Sequence, residues 1–252
     1  MFERSKQIKW LNFDSIKKSK VLVVGAGAIG NEVSKNLILS GFLNITIIDM
    51  DRIEITNLNR CIFFSQTDAQ KNMFKAEVVA NKLKDLNIEA NVNHITKRIQ
   101  DMPEEFIPSF DLVLGCLDNI ESRLHVNAFC YHNKIPYVDG ATDGFSGKVQ
   151  VIRAPHTCCL ECNMNKTHME SINLRRSCTG DDLTFHENPL AGEITTTSVI
   201  GAIMVGEALK IASKNKDILK NTIFYYNGLK NMHENLEVQI NPSCRNHDNL
   251  SP

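Results

Sequence analysis

The sequence predicts an α/β fold: a Rossmann-like doubly wound sheet, parallel in its N-terminal half, with antiparallel strands added in its C-terminal half. Three observations predict it. The apolar run Val21–Val24 feeds Gly25, Gly27 and Gly30 at GxGxxG spacing and then a helical pattern, which is the order of a strand, a tight turn and a helix N-terminus. Apolar runs of strand length then alternate with helical patterns to about residue 135, the signature of a parallel sheet with helices on both faces. From about residue 136 the texture changes to β-rich runs separated by Gly-containing turns, which favours antiparallel pairing.

Each element follows from its local pattern. In "NEVSKNLILSGF" (31–42) apolar residues recur at helical spacing and Gly41 is a natural C-cap. "NITIIDMD" (44–51) reads as a second buried strand ending in acids. "DAQKNMFKAEVVANKLKDLN" (68–87) reads as one amphipathic helix, "ANVNHITKRI" (90–99) as a strand, and "FDLVLGCLDN" (110–119) as a strand closed by Asp118 and Asn119. "PYVDGATDGFSGKVQVIRAP" (136–155) holds β-rich runs around glycine turns. Residues 163–194 are polar and poor in periodicity, and a stretch that long is expected to be a flexible functional segment. "TTTSVIGAIMVGEALKIASK" (195–214) returns as an apolar helix, and "TIFYYNG" and "NLEVQIN" close as strands.

The 252 residues suffice for one domain, divided into an N-terminal arm (1–20), a nucleotide-binding half (21–135) and a second half (136–252). A formal net charge of −1 without a long basic run argues against nucleic acid as a partner. No apolar stretch is expected to reach the ~18 to 20 residues of a membrane span, and from the mixed charges of "MFERSKQIKW" no secretory signal is expected. Eight cysteines in that setting are those of a reducing, cytoplasmic compartment, where thiols bind metal, react or pack.

The glycines alone suit a redox dinucleotide as well as ATP. Asp49 and Asp51 end the second strand at about the distance where a Rossmann acid meets a ribose hydroxyl, and that too suits either ligand. Four residues further along the chain shift the balance: Asn57 and Arg60 in "NLNRCIFF", Lys75 in "KNMFKAE" and Asp118 in "GCLDN". A triphosphate needs such cations and a magnesium carboxylate, whereas a nicotinamide or flavin does not.

In this order GAGAIG, IDMD, NLNR, KAE, CLDN, "DGATDGFSGKVQ", "CLEC", "TTTSVIGAIMVGEALKI" and "NPSCRNH" make the chain resemble the ubiquitin-activating enzyme family, which includes the bacterial sulfur-carrier adenylating enzymes MoeB and ThiF. The resemblance runs from about residue 20 to residue 247. It implies an enzyme that adenylates the C-terminal glycine of a small ubiquitin-like or sulfur-carrier protein ending in Gly-Gly, with ATP and Mg²⁺, and makes residues 136–252 the carrier-binding half. By similarity Asp49 holds the ribose, Asn57, Arg60 and Lys75 face the phosphates, and Asp118 holds Mg²⁺. A downstream conjugating protein is implied as a further partner. Activation of a small carboxylate, as in the family's tRNA-modifying dehydratases, and a non-catalytic partner subunit are the alternatives.

Cys159 and Cys162 at CxxC spacing and Cys244 and His247 at CxxH spacing form a Cys₃His zinc set without an open position. The family usually has a fourth cysteine where this chain has His247, an acceptable zinc ligand. The competing reading is a frayed tail with His247 in solvent. Cys61, Cys116 and Cys130 read as small buried hydrophobes, and Cys158 as packing beside the zinc turn. Cys178 differs: Arg175 and Arg176 next to it favour thiolate, and the resemblance implies a cysteine near this place that takes the acyl group as a thioester. Lys6 stands where MoeB-type members carry an Arg that reaches across a dimer. A homodimer is expected, and the lysine leaves a heterodimer open.

Overall fold

The structure is a computed structural model that describes residues 2–163 and 192–247. Eight strands form one sheet in the order β3-β2-β1-β4-β5-β6-β7-β8. β1 (Lys20–Val24), β2 (Asn44–Ile48), β3 (Asn91–Ile95), β4 (Leu112–Gly115) and β5 (Tyr137–Asp143) run parallel. β6 (Ser146–Ile152), β7 (Thr222–Asn227) and β8 (Met232–Glu237) extend the sheet antiparallel from β5. The chain winds outward from β1 to β3, then returns and winds the other way from β4, so the topological switch point lies between β1 and β4.

Helices cover both faces. Besides the short α1 (Phe13–Lys18), α2 (Ala28–Ser40) and α4 (Lys75–Leu86) pack with α6 (Ile194–Ala212) over a core that includes Val21, Val23, Ile45, Ile47, Val138 and Val149. On the other face α5 (Ile120–His132) packs over Leu22, Val24, Val113, Tyr137 and Ile152. This alternation along β1 is the period-two pleat made visible. Gly41 ends α2 in the left-handed region with φ +102°, and its N–H bonds the Ile38 carbonyl.

Two expectations are corrected. The helix read across residues 68–87 is two, α3 (Gln66–Gln70) and α4, because Asn72 takes a φ of +53° and its carbonyl accepts from the Arg52 guanidinium. Ser65 and Asp68 close a capping box at the start of α3, and Phe74 bridges to Arg52 before α4 begins. The second correction concerns apolar length: the 19 residues of α6, with a mean hydropathy of 1.4, are long and apolar enough to cross a membrane by composition alone. Here that helix packs against α2, β5 and β6 with Ile200, Met204 and Ala208 buried, so its apolarity is explained by the core.

The α2–α6 contact is close because of Gly201. A Cβ built there would lie 2.8 Å from the Cβ of Glu32, a buried residue paired with Lys35. Gly201→Val is expected to lower the unfolding free energy by about 1–3 kcal/mol through overpacking, read as an earlier urea midpoint. An unchanged midpoint would mean that the two helices separate without cost.

Candidate functional site

A cavity of about 420 Å³ opens at the C-terminal ends of β1, β2 and β4, at the switch point, within the size range of small-molecule sites. Its floor is the glycine loop. Gly25 has φ +98°, and a Cβ there would stand 2.5 Å from the Cys116 carbonyl oxygen. A Cβ on Gly30 would stand 2.1 Å from the Gly25 carbonyl oxygen, so the first turn of α2 closes only over a glycine. Gly27 differs: nothing lies within 4 Å of the Cβ it lacks. Gly27 is the N-cap of α2, and its bare side is cavity, which suits an anion against the helix N-terminus.

Asp49 ties this loop to the sheet. Its Oδ2 accepts the Ala26 N–H at 2.6 Å and its Oδ1 accepts the Asp51 N–H at 2.8 Å. Burial pushes its carboxyl upward, opposed by those two amides and by Lys75. Asp51 is the more exposed of the two acids and pairs with Lys75 Nζ at 2.9 Å. Burial disfavours the Lys75 ammonium, but Asp49 and Asp51 outweigh it and raise its pKa, so Lys75 stays charged in the cavity wall.

Arg60 lines the same cavity and donates from Nη1 to the Thr56 carbonyl at 2.6 Å and to Asn59 Oδ1 at 2.9 Å. Asn57 lines it too, and its Oδ1 accepts the Glu54 N–H at 3.0 Å, closing the turn that presents Arg60. Asp118 stands exposed on the far rim, one residue before Asn119, which caps α5 by accepting the Ser122 N–H. Eight of the nine residues expected to bind nucleotide, Gly25, Gly27, Asp49, Asp51, Asn57, Arg60, Lys75 and Asp118, therefore line one cavity, and Gly30 lies behind its floor against the Gly25 carbonyl. Sequence reasoning missed Lys97, Arg98 and Gln100 after β3, and Gly192 and Thr197 around the start of α6. Gln100 Nε2 donates to Ser122 Oγ at 2.7 Å, joining two segments with no shared motif. Cys61 and Cys116 are buried as expected, yet both also border the cavity.

The second site lies where α5 meets the C-terminal turn. Cys159, Cys162, Cys244 and His247 place their donor atoms within 4.8 Å of one another. The sulfurs of Cys162 and Cys244 lie 3.8 and 3.6 Å from that of Cys159, and His247 Nε2 lies 3.1 Å from Cys162 Sγ. A zinc–thiolate bond of about 2.3 Å in a tetrahedron sets sulfurs about 3.8 Å apart, so the donor set fits a tetrahedral thiophilic cation. Two tight turns build it: the Cys162 N–H bonds the Cys159 carbonyl, and the His247 N–H bonds the Cys244 carbonyl. Arg245 pairs with the buried Glu161 at 2.7 Å and Asn246 Nδ2 donates to Glu161 Oε1 at 2.9 Å, fastening one turn to the other. His247 is thus held in the fold, against the reading of a frayed tail.

The ThiF family model matches residues 5–246. The chain belongs to the ThiF family. Among its curated relatives, SUMO-activating enzyme subunit 2 of Dictyostelium discoideum is 43% identical over 152 residues, which cover 60% of this chain and 23% of that protein. The NEDD8-activating enzyme E1 catalytic subunit of Caenorhabditis elegans is 36% identical over 167 residues, 61% of this chain and 38% of that protein. The matched region is thus well under half the length of these relatives. Of solved structures, E. coli MccB with MccA superposes with a TM-score of 0.75 at 26% identity, covering 94% of this chain and 68% of that one. E. coli MccB with ATP gives 0.74 at 26% identity, covering 92% and 68%.

For this ThiF-family chain two expectations remain apart from the cavity. Cys178 lies outside the described residues. Lys6 lies in a short 3-10 turn at the N-terminus, exposed and paired with Glu3 at 2.6 Å.

Protein prepared without chelator is expected to carry one zinc ion per chain, and its removal to release the 244–247 turn while the sheet persists. Trypsin then cuts at Arg245 in the stripped protein and spares it in the loaded one. Equal cleavage in both would show that the metal does not hold the turn.

Proposed function

We propose that this chain is the adenylating unit of an activating enzyme for a small ubiquitin-like or sulfur-carrier protein ending in Gly-Gly. The observation that carries the reading is the meeting of Gly27 at the bare N-terminus of α2, the cations Arg60 and Lys75, and the rim carboxylate Asp118 at one cavity. Relatives named for SUMO and NEDD8 activation and a fold shared with ATP-bound MccB support it.

In this reading the carrier's terminal carboxylate oxygen attacks the α-phosphorus of ATP. The bond to the bridging oxygen breaks, pyrophosphate leaves, and a carrier–AMP anhydride remains. The α2 N-terminus and Gly27 receive phosphate oxygens, and Arg60 and Lys75 stabilise charge that develops on them. Lys75 exchanges its partner Asp51 for phosphate, and Asp49 and Asp51 flank the ribose. Asp118 would hold Mg²⁺, which would supply further charge neutralisation at the phosphates. The carrier docks on the open face of β6–β8, where Ile223 and Tyr225 alternate away from the α6 face and the exposed Leu236 stands opposite Ile223. Cys178 thiolate then attacks the acyl carbon and AMP leaves, giving a thioester. We place this thiol chemistry in the cytoplasm and in a homodimer, with a heterodimer as the other arrangement open to the Lys6 turn.

ATP with Mg²⁺ is expected to give a calorimetric binding signal that NADH and FAD do not. Asp118→Ala, which removes a rim carboxylate and no core, is expected to abolish carrier-dependent pyrophosphate exchange without changing the melting temperature. Exchange that needs no carrier protein would instead favour a small carboxylate as substrate.

Adenylation and thioester formation separate at Cys178. The Cys178→Ala variant is expected to retain pyrophosphate exchange and to lose the reductant-sensitive carrier adduct on a non-reducing gel. An adduct that persists in the variant assigns the acyl group to another thiol.

A further inference from the structure

The histidine in the metal cluster brings a requirement that a fourth cysteine would not. Imidazole has two nitrogens, and only the one without a proton can ligate. His247 presents Nε2 to the cluster, 3.1 Å from Cys162 Sγ. Its Nδ1 faces the phenol oxygen of Tyr131 at 2.9 Å, across 116 residues of sequence. The same phenol lies 3.4 Å from the Thr157 carbonyl oxygen, which can only accept. A phenol has one proton. When it goes to Thr157, the phenol oxygen is left to accept, and His247 Nδ1 must carry the hydrogen that fills it. That leaves Nε2 bare and aimed at the thiols. With the reverse assignment, the phenol proton goes to Nδ1, Nε2–H points into the cluster, and the long contact to Thr157 has no hydrogen in it.

Tyr131 is placed to impose this choice. It is 1% exposed, lies in the last turn of α5, and packs among Val126, Cys130, Cys159 and Cys244 in the core of that face. Its ring lies 4.6 Å from the imidazole at an interplanar angle of 45°, so packing as well as hydrogen bonding orients His247. Asn127 on the same helix accepts the Leu160 N–H at 3.0 Å and fixes the CxxC turn to α5. We propose that Tyr131 is a positioning residue for the metal centre: a relay from His247 Nδ1–H to the Tyr131 phenol to the Thr157 carbonyl fixes the tautomer in which Nε2 ligates. Hydrogen-bond partners behind a ligating histidine have this effect on metal affinity in general. The inference rests on the metal reading of the Cys₃His cluster.

The test is a cycle on the full chain with zinc as the probe and chelator competition as the readout. Tyr131→Phe keeps the ring that fills the core and removes only the hydroxyl, and it is expected to weaken zinc binding about 10- to 100-fold. A thiolate has no second nitrogen to hold, so in a His247→Cys background the same Tyr131→Phe change is expected to leave affinity unaltered. In the wild-type zinc protein, long-range proton–nitrogen NMR is expected to show His247 protonated at Nδ1, with that proton exchanging faster in Tyr131→Phe. An equal loss in both backgrounds overturns the proposal by showing that Tyr131 acts only through packing, and no loss in either background overturns it as well. A wild-type chain that binds no zinc overturns the metal reading itself, an outcome distinct from those two.

Discussion

The cavity end of this fold depends on one half-buried carboxylate. Asp49 directs its oxygens to two backbone amides, those of Ala26 in the glycine loop and Asp51 beyond β2, so its side chain reinforces the backbone bond from the Gly25 N–H to the Ile48 carbonyl in holding the loop to the strand end. A negative charge beside a cavity works against anion binding there unless it is offset. Here the amides and Lys75 partly offset it, while Asp51 holds the ammonium of Lys75 in the cavity wall. The carboxylate thus positions the groups that attract the anion. The glycines complete the constraint: with 2.1 Å between the missing Cβ of Gly30 and the Gly25 carbonyl, α2 starts where it does only because no side chain is present.

What was legible in the sequence is what local chemistry dictates. Gly25 and Gly30 announce themselves because no other residue fits a φ of +98° or so short an approach. The parallel half of the sheet follows from alternation, and the change to antiparallel pairing from the glycine turns, where Gly144 has φ +54° and turns β5 into β6 over two residues. The break at Asn72 was not legible, since apolar residues keep a helical rhythm through Met73 and Phe74, and only the tertiary bridge of Phe74 to Arg52 shows that those side chains serve a different purpose. The cavity residues Lys97, Arg98 and Gln100 were not legible either. They carry no spacing rule and gain their place only when β3 is paired beside β2.

The Cys₃His cluster divides in the same way. Two x₂-spaced pairs could be read directly, because each is a tight turn whose backbone hydrogen bond sets the ligand spacing. The groups behind them could not be read: Tyr131, Asn127 and the Glu161–Arg245 pair are brought in by the packing of α5 and by an ion pair spanning 84 residues. Ligand identity is a local property of sequence, whereas ligand orientation is a property of the fold.

Helix α5 joins the two sites. It starts beside Asp118, with Asn119 as its cap, and its last turn carries Tyr131 against the metal cluster, about 20 Å away by helix geometry. The chain leaves the cluster after Asn163 and is next described at Gly192, which borders the nucleotide cavity. Gly192 is itself fixed, bridging to Gly144 and lying so near Arg60 that a Cβ there would stand 2.7 Å from the Arg60 side chain. The described chain thus stops at the Cys₃His cluster and resumes beside Arg60 at the cavity. The Cys₃His cluster and the cavity, far apart in sequence, are thereby joined through one helix without sharing a residue.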